Sequence, residues 1–308
     1  MKSFILKSLL FFAIFFGLEK SLILLRNSAP GRELDKRLEN ILKGEINADV
    51  IILGSSRGAR DIMASNIADS LNTTAYNLSY PGSDISFHEY LLEKLVQFNN
   101  KKPKLVILAA DDPVELILNN TIYFRLDRLY PLVKYEDVRK TLIEKGEKDK
   151  ILSNLFIIHQ LGMANFDIRK KHFSPLDTLH ADGSMPISFR SKKFTAAYNS
   201  KYKAYDATIE DSNKIKSFTN FLKICKDNNI KLVLALAPNF GNPSPGFKQR
   251  MEWYVKSPQN HVMLYDTSNA IYKNENYFYD AGHLTKAGAD IFTAEVIDYV
   301  KKNQLLHQ

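Results

Sequence analysis

The chain has 308 residues, of which 45% are hydrophobic and 25% are charged. This composition is typical of a folded globular protein and argues against disorder or a coiled coil. The formal net charge is +8, but lysine and arginine are scattered along the chain, so we expect no nucleic-acid partner. The single cysteine, Cys225, excludes an intrachain disulfide and a cysteine zinc site. We expect no metal and no cofactor.

The amino terminus predicts export. After a basic start, residues 8–18 form an uncharged apolar run. A helix over residues 5–25 would be about 30 Å long, enough to cross a bilayer. Glu19 and Lys20 interrupt the pattern, and each charge near a membrane centre costs on the order of 2.5–3.5 kcal/mol. Residues 1–27 are predicted to be a signal anchor or a cleaved signal peptide. The anchor is favoured because no small-residue cleavage site follows, and in either case the rest is expected in the periplasm or outside the cell.

Beyond this segment, a linker or stalk is expected over residues 28–46, and strands then alternate with helices. The predicted strands cover residues 50–53, 75–78, 105–109, 231–237 and 262–265. The predicted helices cover residues 61–71, 86–98, 212–226 and 285–301. Residues 119–208 break this rhythm and are interpreted as a mostly helical and irregular insertion. Five strands separated by helices predict a doubly wound α/β domain over residues 47–308.

The first predicted strand ends abruptly at Gly54-Ser55-Ser56. Residues 50–53 contain no polar side chain, as expected for a strand covered on both faces of a parallel sheet. A glycine there can adopt the backbone angles of a tight turn into a helix. The following serines would then lie at the carboxyl edge of the sheet, where open α/β sheets bind ligands. Either Ser55 or Ser56 is therefore a candidate nucleophile.

A second motif, Asp280-x-x-His283, stands just before the last predicted helix. A carboxylate three residues ahead of a histidine can bind one imidazole nitrogen and leave the other nitrogen for a hydroxyl. The same spacing occurs at Asp177 and His180. That pair lies in the predicted insertion, so position at the sheet edge favours Asp280 and His283.

In this order and context, the motifs resemble the SGNH (GDSL-like) hydrolase superfamily, over residues 48–112 and 211–301. The resemblance implies a three-layer α/β/α, flavodoxin-like domain with a five-stranded parallel sheet. It also implies a nucleophile at Ser56, an activating base at His283 and an orienting carboxylate at Asp280.

The resemblance further implies an oxyanion hole. Its donors would be the backbone amide at the serine and that of Gly82 after the second strand. Asn77, at the end of that strand, is a further candidate for oxyanion or substrate binding. Arg57 is a candidate for binding an anionic substrate group, with a surface ion pair as the alternative. The family's asparagine donor after the third strand is replaced by Asp111, which cannot donate unless it is protonated. Losing one such donor costs on the order of 100- to 1,000-fold in rate in other enzymes. A slow or specialised enzyme, or a donor from elsewhere, is therefore expected.

With its apolar amino terminus, the chain looks most like the branch that handles envelope polymers, which includes the D-alanine transfer protein of teichoic acid modification and the alginate O-acetylation proteins. The resemblance implies a membrane-anchored serine esterase or O-acyltransferase for a cell-envelope or secreted polysaccharide. Water or a sugar hydroxyl would accept the acyl group, and a membrane-bound O-acyltransferase is a candidate partner. The alternative is a non-catalytic binding or assembly subunit that keeps the fold.

Overall fold

The computed structural model describes residues 1–202 and 204–306. They divide into two compact units. The N-terminal unit comprises Met1–Glu39 and Arg125–His172, and the sheet unit comprises Asn40–Phe124 and Phe173–Gln308.

Helices precede the first strand of the chain and follow the last one. The helices are α1 (Lys2–Ser21), α2 (Ile23–Arg32), α3 (Arg37–Leu42), α4 (Ser56–Asp61), α5 (Ala64–Leu71), α6 (Ile85–Phe98), α7 (Leu126–Leu129), α8 (Glu136–Glu144), α9 (Lys150–Leu155), α10 (Met163–Phe166), α11 (Ser212–Asp227), α12 (Pro245–Tyr254) and α13 (Lys286–Lys302). The strands are β1 (Val50–Gly54), β2 (Ala75–Asn77), β3 (Leu105–Ala109), β4 (Lys231–Leu236), β5 (Asn260–Leu264), β6 (Phe278–Asp280) and β7 (His283–Leu284).

Five strands of the sheet unit pair in parallel in the order β2-β1-β3-β4-β5. This is the strand order of flavodoxin-like folds, and it confirms the predicted doubly wound α/β architecture. The chain moves from β1 to β2 on one side and then to β3 on the other. In register, Gly54 at the end of β1 lies opposite Ala109 at the end of β3. The carboxyl ends of β1 and β3 therefore flank the switch point at which such sheets bind ligands.

Helices cover both faces of this sheet. Val50 and Ile52 belong to a buried cluster with Phe292 of α13, and α13 contacts α4 and α5. Ile51 and Leu53 are equally buried and point to the opposite face, because neighbouring strand residues alternate. The helices α6 and α11, which contact each other, pack on that second face. An apolar core on both faces of β1 holds its carboxyl end in place.

Several boundaries differ from those predicted. The helix predicted over residues 61–71 begins only at Ala64, as α5, and the short helix α4 over Ser56–Asp61 was not predicted. Ser55 caps α4, since its hydroxyl accepts the backbone N–H of Arg57. The helix predicted over residues 86–98 begins at Ile85 as α6 and is capped by Asp84, although Ser86 also offers a side-chain oxygen for this role. The helix α12 was not predicted. Within the predicted insertion, the short helices α7 to α10 are followed by an irregular stretch over the described residues 167–206.

In the N-terminal unit, α1 and α2 form a nearly continuous helix. Leu22 between them keeps right-handed helical angles. The helical stretch Lys2–Arg32 is long and apolar enough to cross a membrane, and only 6% of its most apolar window is buried. The helix continues past residue 27, where the linker or stalk was expected to begin, because α2 runs through Pro30 to Arg32.

Candidate active site

Ser56 is the first residue of α4, directly after the turn that ends β1. Gly54 has a φ angle of +150°, a conformation that favours glycine. A Cβ atom there would also lie 2.9 Å from the carbonyl oxygen of Ala109, so a side chain would collide with β3. The glycine lets the chain turn sharply into α4, which leaves the half-buried Ser56 hydroxyl at the carboxyl edge of the sheet.

Three residues singled out in the sequence lie in one hydrogen-bonded chain. The Oγ atom of Ser56 is 2.7 Å from Nε2 of His283. Nδ1 of the same ring is 2.8 Å from Oδ1 of Asp280 and 3.1 Å from Oδ2. Because a carboxylate only accepts, we assign the imidazole proton to Nδ1, which leaves Nε2 to accept from the Ser56 hydroxyl. This arrangement can remove a proton from the serine as it attacks an acyl group.

The charge on Asp280 is stabilised locally. Burial acts to raise the pKa of Asp280, but the hydrogen bond and charge of His283 and the backbone N–H of Gly282 outweigh it and hold the pKa below its usual range. The side chains of His283 and Asp280 are 22% and 39% exposed. The carboxylate therefore stays ionised at neutral pH, and the serine and imidazole can be reached from solvent.

Asp61, at the end of α4, holds the strand that carries His283. Its buried carboxylate accepts the backbone N–H of Leu284 at 3.0 Å. Burial raises the pKa of Asp61 to about 6, although the nearby His283 and Arg57 act in the opposite direction. This residue was not predicted from the sequence. The sequence feature that could have identified it is the position of this carboxylate directly before the apolar residues 62–64, where burial is expected.

Two backbone donors lie beside the serine turn. The loop that carries Gly82 is attached to Gly54, whose carbonyl accepts the N–H of Tyr80 at 3.0 Å and lies 3.2 Å from the Ser83 hydroxyl. The backbone N–H groups of Ser56 and Gly82 donate to no acceptor within residues 1–202 and 204–306. They are therefore available to a ligand, as an oxyanion hole requires.

Asp111 follows β3 and is buried next to the other serine of the turn. The Ser55 hydroxyl donates to its Oδ1 at 2.9 Å, and Nε of Arg57 lies 3.9 Å from the same oxygen. Burial raises the pKa of Asp111, against the influence of Arg57 and Ser55. The hydrogen-bond partner of this carboxylate is thus a side chain. Ser55 is thereby engaged, whereas the Ser56 hydroxyl faces His283.

A buried polar cluster continues behind Asp111. Glu115 accepts the backbone N–H of Asp111 at 2.7 Å, and burial together with Asp111 raises the pKa of Glu115 to about 8. Its other oxygen lies 3.7 Å from Nδ1 of His88. Burial, aided by Lys214, lowers the pKa of His88 to about 3, and Nε2 of His88 lies 2.8 Å from the hydroxyl of Ser83. This cluster was not predicted either, although the acidic residues close together after the third strand were its signal.

Arg57 is not placed to bind a substrate anion. It is only 5% exposed, and its guanidinium donates to the carbonyls of Ala237 (3.1 Å) and Pro238 (3.4 Å) and to the side chain of Asn239. The interpretation as a surface ion pair is equally wrong. Arg57 instead joins α4 to the segment that follows β4.

Asn77, the last residue of β2, is also engaged within the fold. Its amide nitrogen donates to the carbonyls of Gly58 (2.8 Å) and Ile62 (3.0 Å), and its oxygen accepts the N–H of Ser79. The side chain is fully buried. Asn77 therefore holds α4 against β2, and the structure does not place its donors at a substrate.

Comparisons with known proteins give distant structural similarity. No protein-family model matches the chain, and no curated protein matches it. Among solved structures, a Bacteroides fragilis protein provisionally assigned as an acylhydrolase aligns with a TM-score of 0.44 and 13% identity over 89% of this chain and 98% of that chain. An acetyl xylan esterase from the rumen bacterium Butyrivibrio proteoclasticus aligns with a TM-score of 0.36 and 9% identity, over 83% of this chain and 64% of that one.

Proposed function

We propose that this protein is an exported, membrane-anchored serine esterase or O-acyltransferase of the SGNH type that acts on a cell-envelope or secreted polysaccharide. The observation that carries the proposal is the hydrogen-bonded chain Ser56–His283–Asp280 at the carboxyl edge of the parallel sheet. The apolar helical stretch Lys2–Arg32 supports anchoring by its length and composition.

In the proposed mechanism, Oγ of Ser56 attacks the carbonyl carbon of an ester while Nε2 of His283 takes the hydroxyl proton. The carbonyl electrons move to the oxygen, which receives hydrogen bonds from the N–H groups of Ser56 and Gly82. Collapse of this intermediate breaks the ester bond, and the imidazolium returns the proton to the departing alcohol. Asp280 keeps the ring oriented and stabilises its charge.

The acyl-enzyme then reacts with a second hydroxyl. Nε2 of His283 removes a proton from water, which gives hydrolysis, or from a sugar hydroxyl, which gives transfer. The new bond to the acyl carbon displaces Ser56, which recovers its proton from the imidazolium. A membrane-bound O-acyltransferase that supplies or receives acyl groups at the same membrane is the partner that this chemistry suits.

The experiment compares the two adjacent serines. Ser56→Ala is expected to abolish labelling by a serine-reactive fluorophosphonate. It is also expected to abolish the release of acetate from an acetate ester. Ser55→Ala is the matched control, because Ser55 is bound to Asp111, and we expect it to remain labelled. Folding of each variant is checked by circular dichroism. If the folded wild-type protein is not labelled, the proposal that it is a serine enzyme is rejected.

The second candidate function is a non-catalytic binding or assembly subunit. The buried carboxylate of Asp111, in place of a neutral donor near the serine turn, favours it. Complementation of a deletion strain separates the two. A folded Ser56→Ala variant that restores polymer modification would support the binding subunit, and loss of modification would support the enzyme.

A further inference from the structure

The N-terminal unit exposes large apolar side chains beside the helical stretch Lys2–Arg32. Ile151 and Leu155 of α9 are 69% and 58% exposed, and Ile158 shortly after α9 is 45% exposed. Phe16 of α1, on which Phe156 stacks, is 46% exposed. Contiguous exposed apolar surface of this kind marks an interaction site with another apolar body.

The same segment pairs the two charges that interrupt the apolar helix. The Glu19 carboxylate, which is buried, accepts the backbone N–H groups of Ile157 and Ile158. The ammonium of Lys20 donates to the carbonyl oxygen of Leu155 at 3.2 Å and lies 3.0 Å from Glu19. Charged groups at membrane depth are tolerated when they are paired and hydrogen-bonded in this way.

Contacts with α1 and α2 show where residues 151–158 lie along the length of the helical stretch Lys2–Arg32. The ring of Phe156 stacks on Phe16 with centroids 6.5 Å apart. Farther along, Arg32 donates to the carbonyl of Asn165 at 2.6 Å. At about 1.5 Å per residue, twelve helical residues separate Lys20 from Arg32 by roughly 18 Å. Residues 151–158 therefore lie level with the end of the apolar run, and the residues after α10 lie well beyond it.

We propose that residues 151–158 enter the outer boundary of the lipid bilayer beside the anchor helix, with Ile151, Leu155 and Ile158 against acyl chains. The segment joins the apolar run of α1 where Phe156 stacks on Phe16, which is itself exposed, and this continuity makes lipid its occupant. On its inner side the segment donates backbone N–H groups to the Glu19 carboxylate. Ile151, Leu155 and Ile158 face outward, as expected for a segment at a membrane interface. This inference rests on the membrane anchoring in the proposed function.

Fluorescence quenching in vesicles tests the inference. The full-length protein is reconstituted in phosphatidylcholine and phosphatidylglycerol vesicles, with an environment-sensitive fluorophore on Leu155→Cys or Ile168→Cys. Ile168 is a matched control, since it is 74% exposed but lies beyond the membrane level. Cys225 is buried, and burial raises the pKa of its thiol to about 12, so wild type gives the labelling background. Quenchers attached to lipid chains should quench position 155 several-fold more strongly than position 168.

A third label, on Phe11→Cys in α1, separates this inference from the anchor itself. Quenching at positions 11 and 155 supports the inference, and Ile151→Cys provides a second reading if one variant folds poorly. If position 11 is quenched but positions 155 and 151 are quenched no more than position 168, the inference is overturned and the membrane anchor is retained. Absence of quenching at 11 overturns the anchor and the inference together. Protection of position 155 from a water-soluble quencher in cell membranes, but not in pure lipid vesicles, would assign the patch to a protein partner and overturn it too.

Discussion

Two groups of serine, histidine and carboxylate lie among the described residues of the sheet unit, one open to solvent and the other buried. The exposed chain is Ser56, His283 and Asp280, and the buried chain is Ser83, His88 and Glu115. In both, the serine hydroxyl lies within 2.8 Å of the histidine Nε2 atom. The two differ in their carboxylates, which lie 2.8 Å from Nδ1 in the exposed chain and 3.7 Å in the buried chain.

The carboxyl groups of the two chains have opposite pKa shifts, because only Asp280 has hydrogen bonds and a nearby charge that outweigh the effect of burial. The pKa of Asp280 lies below its usual range, whereas burial and Asp111 raise the pKa of Glu115 to about 8. Tyr80 places its carbonyl 2.6 Å from the Ser83 hydroxyl. A carbonyl only accepts, so we assign the Ser83 hydrogen to it. Ser83 therefore has no base to take its proton, and the residue types alone do not make a nucleophile.

The largest expected effect comes from replacing the two histidines in turn. His283→Ala should reduce ester hydrolysis by roughly 1,000-fold or more at unchanged stability, because it removes the base. His88→Ala should lower the unfolding free energy by about 1–3 kcal/mol, because it empties a buried polar site, and should leave the rate within about tenfold of wild type. Steady-state kinetics and urea titrations measure both. Equal rate losses in the two variants would contradict the distinction between the chains.

The variant Glu115→Gln tests whether the Glu115 carboxyl is protonated in the folded protein, in contrast to Asp280. The raised pKa, about 8 against an ordinary 4.5, means that the folded state binds a proton more tightly than the unfolded state. This stabilisation is complete below the unfolded pKa and is lost as pH rises through the folded value. Relative to Glu115→Gln, wild type should lose on the order of 3–4 kcal/mol of unfolding free energy between about pH 5 and about pH 8. Glu93→Gln, at an exposed position of α6, is the control. Parallel pH profiles for wild type and Glu115→Gln would refute this.

The smallest effect is expected at Asp111, which lies between the serine turn and Glu115. Asp111→Asn keeps an oxygen that can accept the Ser55 hydroxyl and adds N–H donors near the serine turn. We expect the rate of ester hydrolysis to rise by roughly 3- to 10-fold. Asp112→Asn serves as control, since its carboxylate accepts the N–H of Ser244 and should not alter the rate. A slower Asp111→Asn enzyme would show that the carboxylate itself is needed.

Local patterns predicted much of the fold. The strand Leu105–Ala109 was predicted with both of its ends, because its apolar run is bounded by a lysine and a polar cluster. The helix caps were less predictable. Ser86 and Asp84 offer competing side-chain oxygens two residues apart, and the backbone N–H groups that choose between them carry no sequence signal.

Burial was the other quantity that local patterns did not predict. Arg57 was interpreted as a surface or substrate-binding residue because arginines seldom lie inside proteins. In the structure its guanidinium is buried and binds backbone carbonyls some 180 residues later in the chain. Every residue has a backbone carbonyl, so no sequence motif predicts which carbonyls a buried arginine will bind.

The alternation of strands and helices, the glycine-serine turn and the Asp280-x-x-His283 spacing could all be read from residues close together in the chain. Which serine faces the histidine depends on contacts between distant residues. Ser55 meets a carboxylate 56 residues away, and Ser56 meets an imidazole 227 residues away. The physical reason is the parallel sheet, whose register sets the ends of β1 and β3 side by side and closes one serine into the interior while leaving the other at the edge.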